Sequence, residues 1–389
     1  MNESNRHFSR RGLAGLVGAG LLAATAGSAL AQQTYKFGLA MPLTGGQALY
    51  GNDQVKAAQW AVDAINAKGG VNGKKLEMVV LDTQADPQVG IQAVNRLISV
   101  DKVPAFVTAW SGVVKAVAPI ANDNKVVELS VGANAPDIAK LGDYVYTTFP
   151  LADVDIRAVA HYSATEMKKK KAAVLFINNE TGIGSAEVYR DIFKKAGGEI
   201  VAYESYDQKA TDFTGPLLKI RAANPEIVHL QGLVAESPQV IAQARQLGIT
   251  VPITSYSGIY NPKLIQQLGA AAEGVIATSL APGVDDSPAV KEYVARWQKE
   301  VGREPNGLPY TQYLHDTPYL VAAVFASMDK KGLPMTGENF RKEMLAIKSF
   351  DLPLSGKVEF SDDHTVNKPV YLVEVKGGKW IGKAVVNNK

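Results

Sequence analysis

The amino-acid sequence predicts an α/β protein with two lobes, each built around a parallel sheet covered by helices on both faces. Short apolar runs rich in β-branched residues alternate with segments of helical periodicity through most of the 389 residues. Runs that are apolar throughout are typical of strands buried on both faces. The alternation forms two blocks, which meet near Phe149-Pro150 without a low-complexity linker. We therefore expect several short crossings between the lobes and a cleft between them.

The first block opens with the apolar run YKFGLAMPL, which predicts a strand, and continues into a helix that begins near Gly51. This helix has one apolar face, formed by Val55, Ala58, Val62 and Ile65. Gly69-Gly70 ends it. Further strands are predicted at LEMVVLDT, PAFVTAW and VVELSVGA, and helices at about Gln88–Asp101 and through VVKAVAPIANDN.

The second block repeats the pattern after Pro150. Strands are predicted at AAVLFINN, EIVAYESY, EIVHLQGL and VPITSYSG, and helices at residues 184–196, 213–223 and 237–247. The C-terminal third is more helical, in PAVKEYVARWQKEVG, DTPYLVAAVFASMDKKG and TGENFRKEMLAI. It ends in the β-like segments GKVEFSDD and KPVYLVEVKGGKWIGKAVV, the second a predicted hairpin that turns at Gly377-Gly378.

Residues 1–31 have the three parts of a secretory signal peptide. Arg6, Arg10 and Arg11 precede a short apolar stretch, which ends in the cleavage pattern ALA. We predict cleavage after Ala31, since the small residues of the apolar stretch fit a membrane anchor less well. The segment SRRGLAG also resembles a twin-arginine signal, so the Sec and twin-arginine routes both stay open. The chain has no cysteine, which excludes a lipoprotein anchor.

The charge balance excludes several classes of partner. Lys and Arg number 41 and Asp and Glu 38, and loss of the leader removes three arginines and one glutamate, which leaves a net charge of +1. A nearly neutral exported protein has no basic stripe for nucleic acid and no electrostatic reason to coat a membrane. The length fits two domains, and without cysteine each must be held by a hydrophobic core.

The sequence contains no recognisable catalytic or metal-binding motif. The five histidines lack metal-ligand spacing, and HExxH, GxSxG and Walker A motifs are absent. The loop PLTGGQALYGND has the glycines of a phosphate-binding loop but no lysine, and GIGSAE lacks the third glycine of a dinucleotide loop. We expect no catalysis, no cofactor and no bound metal.

With two α/β lobes and an export signal in view, several motifs together resemble a known family. The stretch FGLAMPLTGGQALYGNDQVKAAQWAVDAINAKGGVNGKKLEMVVLDTQADP is similar to the opening of bacterial periplasmic Leu/Ile/Val-type solute-binding proteins. SVGANAP, TDFTGPLLKIRAANPEIV and QARQLGI match further along the chain. The resemblance implies a type I periplasmic binding fold, in which two doubly wound parallel-sheet lobes are joined by a three-segment hinge.

The resemblance also divides the chain into lobes. Lobe 1 would comprise residues 34–150 and 283–356, and lobe 2 residues 151–278 and 357–389. The crossings would lie near 149–153, 278–282 and 357–361. Ligands of such sheets bind at the carboxyl ends of the strands, and hinge closure around the ligand is the expected motion.

In lobe 1 the resemblance implies a site for a ligand carboxylate. The family's carboxylate-binding serine matches Ser111, and the residues of the next loop match Gly132, through its backbone, and Asn134. Asn134 stands where threonine is usual, so its amide would be the donor. Neutral donors and helix N-termini can hold an anion through hydrogen bonds worth about 1.5–3 kcal/mol each. Ser and Asn are also common helix caps, so a structural role stays open for both.

In lobe 2 the resemblance bears on the other end of the ligand. Amino-acid-binding relatives hold the α-ammonium with an acid in a turn that SYSGIY matches, which puts Ser257 at that position. Glu180 or Glu236 could substitute for this acid, although neither matches it by position. Because a buried ammonium without a carboxylate partner is costly, an α-amino acid is the less favoured ligand. The other residues expected around the ligand are Tyr50, Trp110, Thr181, Leu233, Tyr256 and Tyr310.

We therefore predict a periplasmic receptor of an ABC importer of the branched-chain amino-acid type. It would close around a small carboxylate, preferably an aromatic or hydrophobic acid, and dock as a monomer onto a membrane permease that has its own ATPases. A branched-chain or related amino acid is the alternative ligand. A periplasmic sensor module for a signalling receptor is the competing class, and an exported hydrolase is disfavoured because no nucleophile motif is present.

Overall fold

The computed structural model describes residues 34–233, 235–281, 287–366 and 368–386, so the predicted signal peptide lies outside the described residues. The strands are β1 (Thr34–Met41), β2 (Lys75–Asp82), β3 (Ala105–Thr108), β4 (Val127–Ser130), β5 (Val145–Thr147), β6 (Lys171–Ile177), β7 (Glu199–Tyr206), β8 (Ile227–Gln231), β9 (Ile253–Ser255), β10 (Val275–Ser279), β11 (Ser349–Leu352), β12 (Gly356–Glu359), β13 (Val370–Lys376) and β14 (Lys379–Val386). The helices are α1 (Ala48–Ala67), α2 (Pro87–Ser99), α3 (Ser111–Asn124), α4 (Ala152–Thr165), α5 (Glu180–Lys195), α6 (Thr214–Ala222), α7 (Ser237–Gln246), α8 (Pro262–Leu268), α9 (Pro288–Val301), α10 (Leu308–Lys330) and α11 (Gly337–Ile347). None of these helices combines the length and the apolar character needed to span a membrane.

The first sheet has the strand order β2-β1-β3-β4-β5, and its neighbouring strands all run parallel. Side chains that alternate along its strands enter two separate cores. Phe37 and Leu39 pack with apolar residues of α1 and α10, whereas Ala40 and Phe106 pack with residues of α2 and α3. Because successive side chains of a strand point to opposite faces, helices cover this sheet on both sides. The predicted α/β architecture is confirmed.

The second sheet has the order β14-β13-β10-β9-β8-β6-β7. Strands β6 to β10 pair in parallel, and the hairpin β13–β14 adds two antiparallel strands at the edge. The hairpin turns at Gly377-Gly378 as predicted, since Lys376 pairs with Lys379. The order β7-β6-β8-β9-β10 repeats that of the first sheet, so both are doubly wound.

Two helices begin earlier than their glycines indicate. Helix α1 begins at Ala48 rather than near Gly51, and α5 begins at Glu180 rather than at residue 184. Gly51 lies inside the first turn of α1. A Cβ at this position would overlap the carbonyl oxygen of Pro42, so only glycine fits there. This glycine therefore permits a close approach between helix and loop and does not mark the helix boundary.

The chain passes between the two sheets after β5, β10 and β12. The third passage comes later than the crossing predicted near 357–361. Val358, Phe360 and Val366 belong to the core of the first sheet. The N–H group of Thr147 in β5 donates to the carbonyl oxygen of His364 at 3.0 Å. The segment through Val366 thus stays with the first sheet, and only β13 joins the second.

Candidate functional site

A cavity of about 120 Å³ lies where the strands of both sheets end. Its lining residues follow β1, β3 and β4 of the first sheet and β6, β8 and β9 of the second, apart from Tyr310 at the start of α10. The lining comprises Gln47, Tyr50, Gln54, Ala109, Trp110, Ser111, Gly132, Asn134, Thr181, Leu233, Ala235, Tyr256 and Tyr310. In each doubly wound sheet the strand order reverses once, between β1 and β3 in the first sheet and between β6 and β8 in the second. Crevices at such points are where open α/β sheets bind ligands.

The structure brings nine of the ten predicted site residues to this cavity. The exception is Ser257, which does not line it. Ser257 is buried, and its backbone N–H donates to Asp155 Oδ2 at 3.1 Å. The acid-to-serine change that we considered from the sequence therefore lies outside the cavity wall.

Sequence reasoning missed four lining residues: Gln47, Gln54, Ala109 and Ala235. A signal for two of them was available. Gln47 and Gln54 stand three residues before and four residues after Tyr50. Residues at these spacings share one face of a helix, so a tyrosine directed at the cleft brings both glutamines with it.

Two helix N-termini, one from each lobe, meet at the cavity. Ser111 is the first residue of α3 and Thr181 the second of α5, and their hydroxyl oxygens lie 3.1 Å apart. The N–H of Ala135 donates to Ser111 Oγ at 3.3 Å. Trp110, at φ +64°, precedes α3 and gives it no side-chain cap. Helix N-termini carry partial positive charge, so this end of the cavity favours an anionic group.

Asn134 adds an amide donor to the same cavity. The residue is only 5% exposed, and its Nδ2 has no hydrogen-bond partner among the described residues. A buried donor without a partner costs about 1–3 kcal/mol. Such a group is therefore expected to meet an acceptor that the folded chain does not supply.

Gly132 and Tyr310 form a fitted pair in the wall. Gly132 has φ +82°, and a Cβ at this position would lie 2.9 Å from Tyr310 Cδ1. The Tyr310 ring is stacked on Phe149 with a centroid distance of 4.8 Å. Glycine at position 132 thus allows the loop after β4 to lie directly against this ring.

Among the described residues, the cavity lining carries no Asp, Glu, His, Lys or Arg, and its only ionisable groups are tyrosine hydroxyls. Burial raises the pKa of the hydroxyls of Tyr50, Tyr256 and Tyr310, so all three stay neutral hydrogen-bonding groups. Glu236 lies outside the lining but close enough to raise the pKa of Tyr50 further. Its Oε1 accepts hydrogen bonds from Leu233 N–H at 2.8 Å and from the Tyr206 hydroxyl at 3.2 Å.

Asp155 ties together the segments beside the cavity. This fully buried carboxylate in the first turn of α4 accepts from the Thr278 hydroxyl in β10 at 2.8 Å as well as from Ser257 N–H. Burial raises its pKa to about 6. Asp155 thus connects the segments that follow the first passage and precede the second.

A hydrogen-bonded chain outside the cavity also joins the two lobes. Lys263 Nζ in α8 donates to Asn306 Oδ1 at 2.8 Å, and Asn306 Nδ2 donates to Asp53 Oδ2 in α1 at 2.7 Å. Arg303 holds the same aspartate through two bonds of 2.6 and 2.7 Å. We call Asp53, Asn306 and Lys263 the inter-lobe chain.

Comparison with known proteins agrees with this architecture. A family profile described as "Periplasmic binding protein" matches residues 34–379. A leucine-, isoleucine-, valine-, threonine- and alanine-binding protein of Pseudomonas aeruginosa is 28% identical over 310 residues, which cover 79% of this chain and 81% of that protein.

Solved structures show the same fold. The branched-chain amino acid transporter substrate-binding protein LivJ of Streptococcus pneumoniae, in complex with isoleucine, has a TM-score of 0.81 and 26% identity, with 92% of this chain and 100% of that chain covered. A solute-binding protein of an ABC transporter from Rhodopseudomonas palustris, in complex with 3,4-dihydroxybenzoic acid, has a TM-score of 0.78 and 24% identity, with 91% and 97% covered. The chain therefore belongs to the periplasmic binding protein family, as a solute-binding protein of the branched-chain amino-acid ABC transporter type rather than an enzyme.

Proposed function

We propose that this protein captures a small aromatic or hydrophobic carboxylic acid for an ABC importer. One observation carries the proposal. The cavity combines an anion-favouring end with a lining in which no described residue is ionised at neutral pH. A ligand carboxylate would accept hydrogen bonds there from the hydroxyls of Ser111 and Thr181 and from the unpartnered amide of Asn134. An α-ammonium group would have no carboxylate partner in the lining, and such burial is costly.

The size of the cavity supports a compact ligand. Its volume of about 120 Å³ is close to the roughly 150 Å³ of an apolar protein cavity that accommodates benzene. Tyr50, Trp110, Tyr256 and Tyr310 supply aromatic surface in the lining. Aromatic rings pack favourably against one another in offset or edge-to-face arrangements, which suits a single-ring acid.

A branched-chain amino acid is the second candidate. It is favoured by Glu236, whose charge acts on Tyr50 in the lining although the carboxylate itself lies outside it. A relative of similar fold is in complex with isoleucine and another with a dihydroxybenzoic acid, so the fold accommodates both ligand classes. Glu236 Oε1 is already engaged by Leu233 and Tyr206, which is why we rank this candidate second.

In this proposal the protein is exported through residues 1–31, is cleaved after Ala31 and acts as a monomer in the periplasm. Lobe 1 and lobe 2 close about the three passages between the sheets when ligand binds. The closed form docks on a membrane permease, because only closure brings the surfaces of both lobes into register. A sensor role would use the same closure with a signalling receptor as partner.

Titration calorimetry with benzoate, phenylacetate, leucine and isoleucine tests the ligand class. We expect binding of an aromatic acid, and at a hundredfold excess over Kd a gain of about 2.7 kcal/mol in the free energy of unfolding. Ser111→Ala should weaken binding of the acid, whereas Glu236→Gln should leave it unchanged. Ser185→Ala removes a buried hydroxyl outside the cavity and serves as the control. Binding of leucine alone, lost in Glu236→Gln, would overturn the aromatic-acid assignment in favour of the second candidate.

A further inference from the structure

Gln54 is a second buried polar side chain in the cavity whose bonding the chain leaves incomplete. It lies on α1, one turn after Tyr50, and is only 4% exposed. Its Oε1 is buried and has no hydrogen-bond partner among the described residues. Gln54 is therefore placed to contact a ligand, as Asn134 is, but it presents an acceptor where Asn134 presents a donor.

The acceptor restricts which part of a ligand can lie against it. A carboxylate oxygen is itself an acceptor and would repel the Gln54 carbonyl. The group beside Gln54 must therefore be a different part of the ligand, and it must carry a donor. An ammonium donor would add a positive charge where the lining supplies no negative one. A hydroxyl is neutral, and because it both donates and accepts, it satisfies the Gln54 amide in either orientation.

We propose that Gln54 is a specificity-determining residue that selects acids carrying a hydroxyl group on the apolar body. This inference rests on the proposed function, because it names a subclass of the carboxylic acids assigned to the cavity. A ligand without the hydroxyl leaves a buried acceptor unpaired in the complex. Sites built around a hydrogen bond to a substrate hydroxyl discriminate strongly against the analogue that lacks it.

The affinities of benzoate, 3-hydroxybenzoate and 4-hydroxybenzoate test this assignment. We expect the wild-type protein to bind one hydroxybenzoate at least about tenfold more tightly than benzoate. Gln54→Leu and Gln54→Met should reduce this ratio to about one, chiefly by weakening the hydroxylated ligand. Gln59→Leu, on the same helix but exposed, is the matched control and should keep the wild-type ratio.

The outcomes separate this inference from the proposed function. Equal wild-type affinity for benzoate and both hydroxybenzoates would overturn the role of Gln54 and leave the aromatic-acid assignment intact. A preference that persists in both Gln54 variants would do the same. If no aromatic acid binds while leucine does, the proposed ligand class fails and the inference falls with it. If one Gln54 variant does not fold, the other still measures the change in the ratio, and a wild-type ratio near one overturns the role of Gln54 by itself.

Discussion

Replacing Asn134 with leucine removes a buried amide from the cavity and keeps a side chain of similar size. In the complex, the amide would donate to a negatively charged carboxylate. A hydrogen bond of this kind contributes about 1.5–3 kcal/mol, so its loss should weaken binding about 10- to 150-fold. Titration calorimetry with the tightest acid identified by screening measures this change.

The same substitution should act differently on the ligand-free protein. Asn134 Nδ2 is buried without a partner among the described residues, so leucine removes an unsatisfied donor. We expect a free energy of unfolding that is equal to that of the wild type or higher by up to about 1–3 kcal/mol. Urea denaturation without ligand measures it. Affinity and stability should therefore change in opposite directions.

Thr148 provides a matched control. Its hydroxyl is also buried and unpartnered, but Thr148 does not line the cavity. Thr148→Val should leave ligand affinity unchanged. The reasoning would be refuted if Asn134→Leu bound the acid as tightly as the wild type. A loss of stability in Asn134→Leu that matched its loss of affinity would show that Asn134 acts as a structural cap instead.

Two further predictions concern stability. The folded-state pKa of Asp155 is about 6, against a usual 3.8, so the folded protein binds this proton more tightly than the unfolded chain does. The resulting stabilisation of the folded state is complete below pH 3.8 and is lost as the pH rises through 6. The change in the free energy of unfolding is about 3 kcal/mol. Relative to the wild type, the free energy of unfolding of Asp155→Asn, measured by urea denaturation, should rise by up to this amount between pH 4 and pH 7. A difference between the two proteins that does not change with pH would contradict this prediction. Gly132→Ala should lower the free energy of unfolding by roughly 1–2 kcal/mol because φ at position 132 is positive. The contact between the new Cβ and Tyr310 should lower it further. Titration calorimetry should also show weaker ligand binding. Gly248→Ala is the control, because Gly248 has a similar φ of +81° but a Cβ there would meet no atom within 4 Å. If both variants lowered the melting temperature equally, the contribution of the Tyr310 contact would be ruled out.

The sequence was most informative where structure depends on local pattern. Apolar runs bounded by turn residues marked the parallel strands, and Gly377-Gly378 marked the hairpin turn. Positions after strand ends were also predictable, because carboxyl ends of parallel strands meet at one edge of a sheet. Tyr50 and Ser111 follow β1 and β3 and reach the cavity for this reason.

Features that depend on long-range packing were not predictable in this way. Gln54 and Gln59 lie on one helix and look alike in sequence, yet only Gln54 is buried against the cavity. The family resemblance predicted Ser257 as a ligand-binding residue, but Ser257 does not line the cavity, and its N–H donates to Asp155, about a hundred residues earlier in the chain. The third passage between the sheets lies later in the chain than predicted, because the segment through Val366 packs on the core of the first sheet. This contact joins residues far apart in the sequence.

The inter-lobe chain separates affinity from selectivity. Lys263 and Asn306 join the lobes without lining the cavity, so their hydrogen bond contributes the same free energy whichever ligand is enclosed. If the lobes close around the ligand as proposed, this hydrogen bond influences what fraction of the ligand-free population is already closed, and apparent affinity scales with that fraction. Substitutions in the inter-lobe chain would multiply the Kd of every ligand by the same factor. The order of preference among ligands would then depend on the cavity residues alone, so substitutions in the inter-lobe chain would change how much solute the protein retains without changing which solute it accepts.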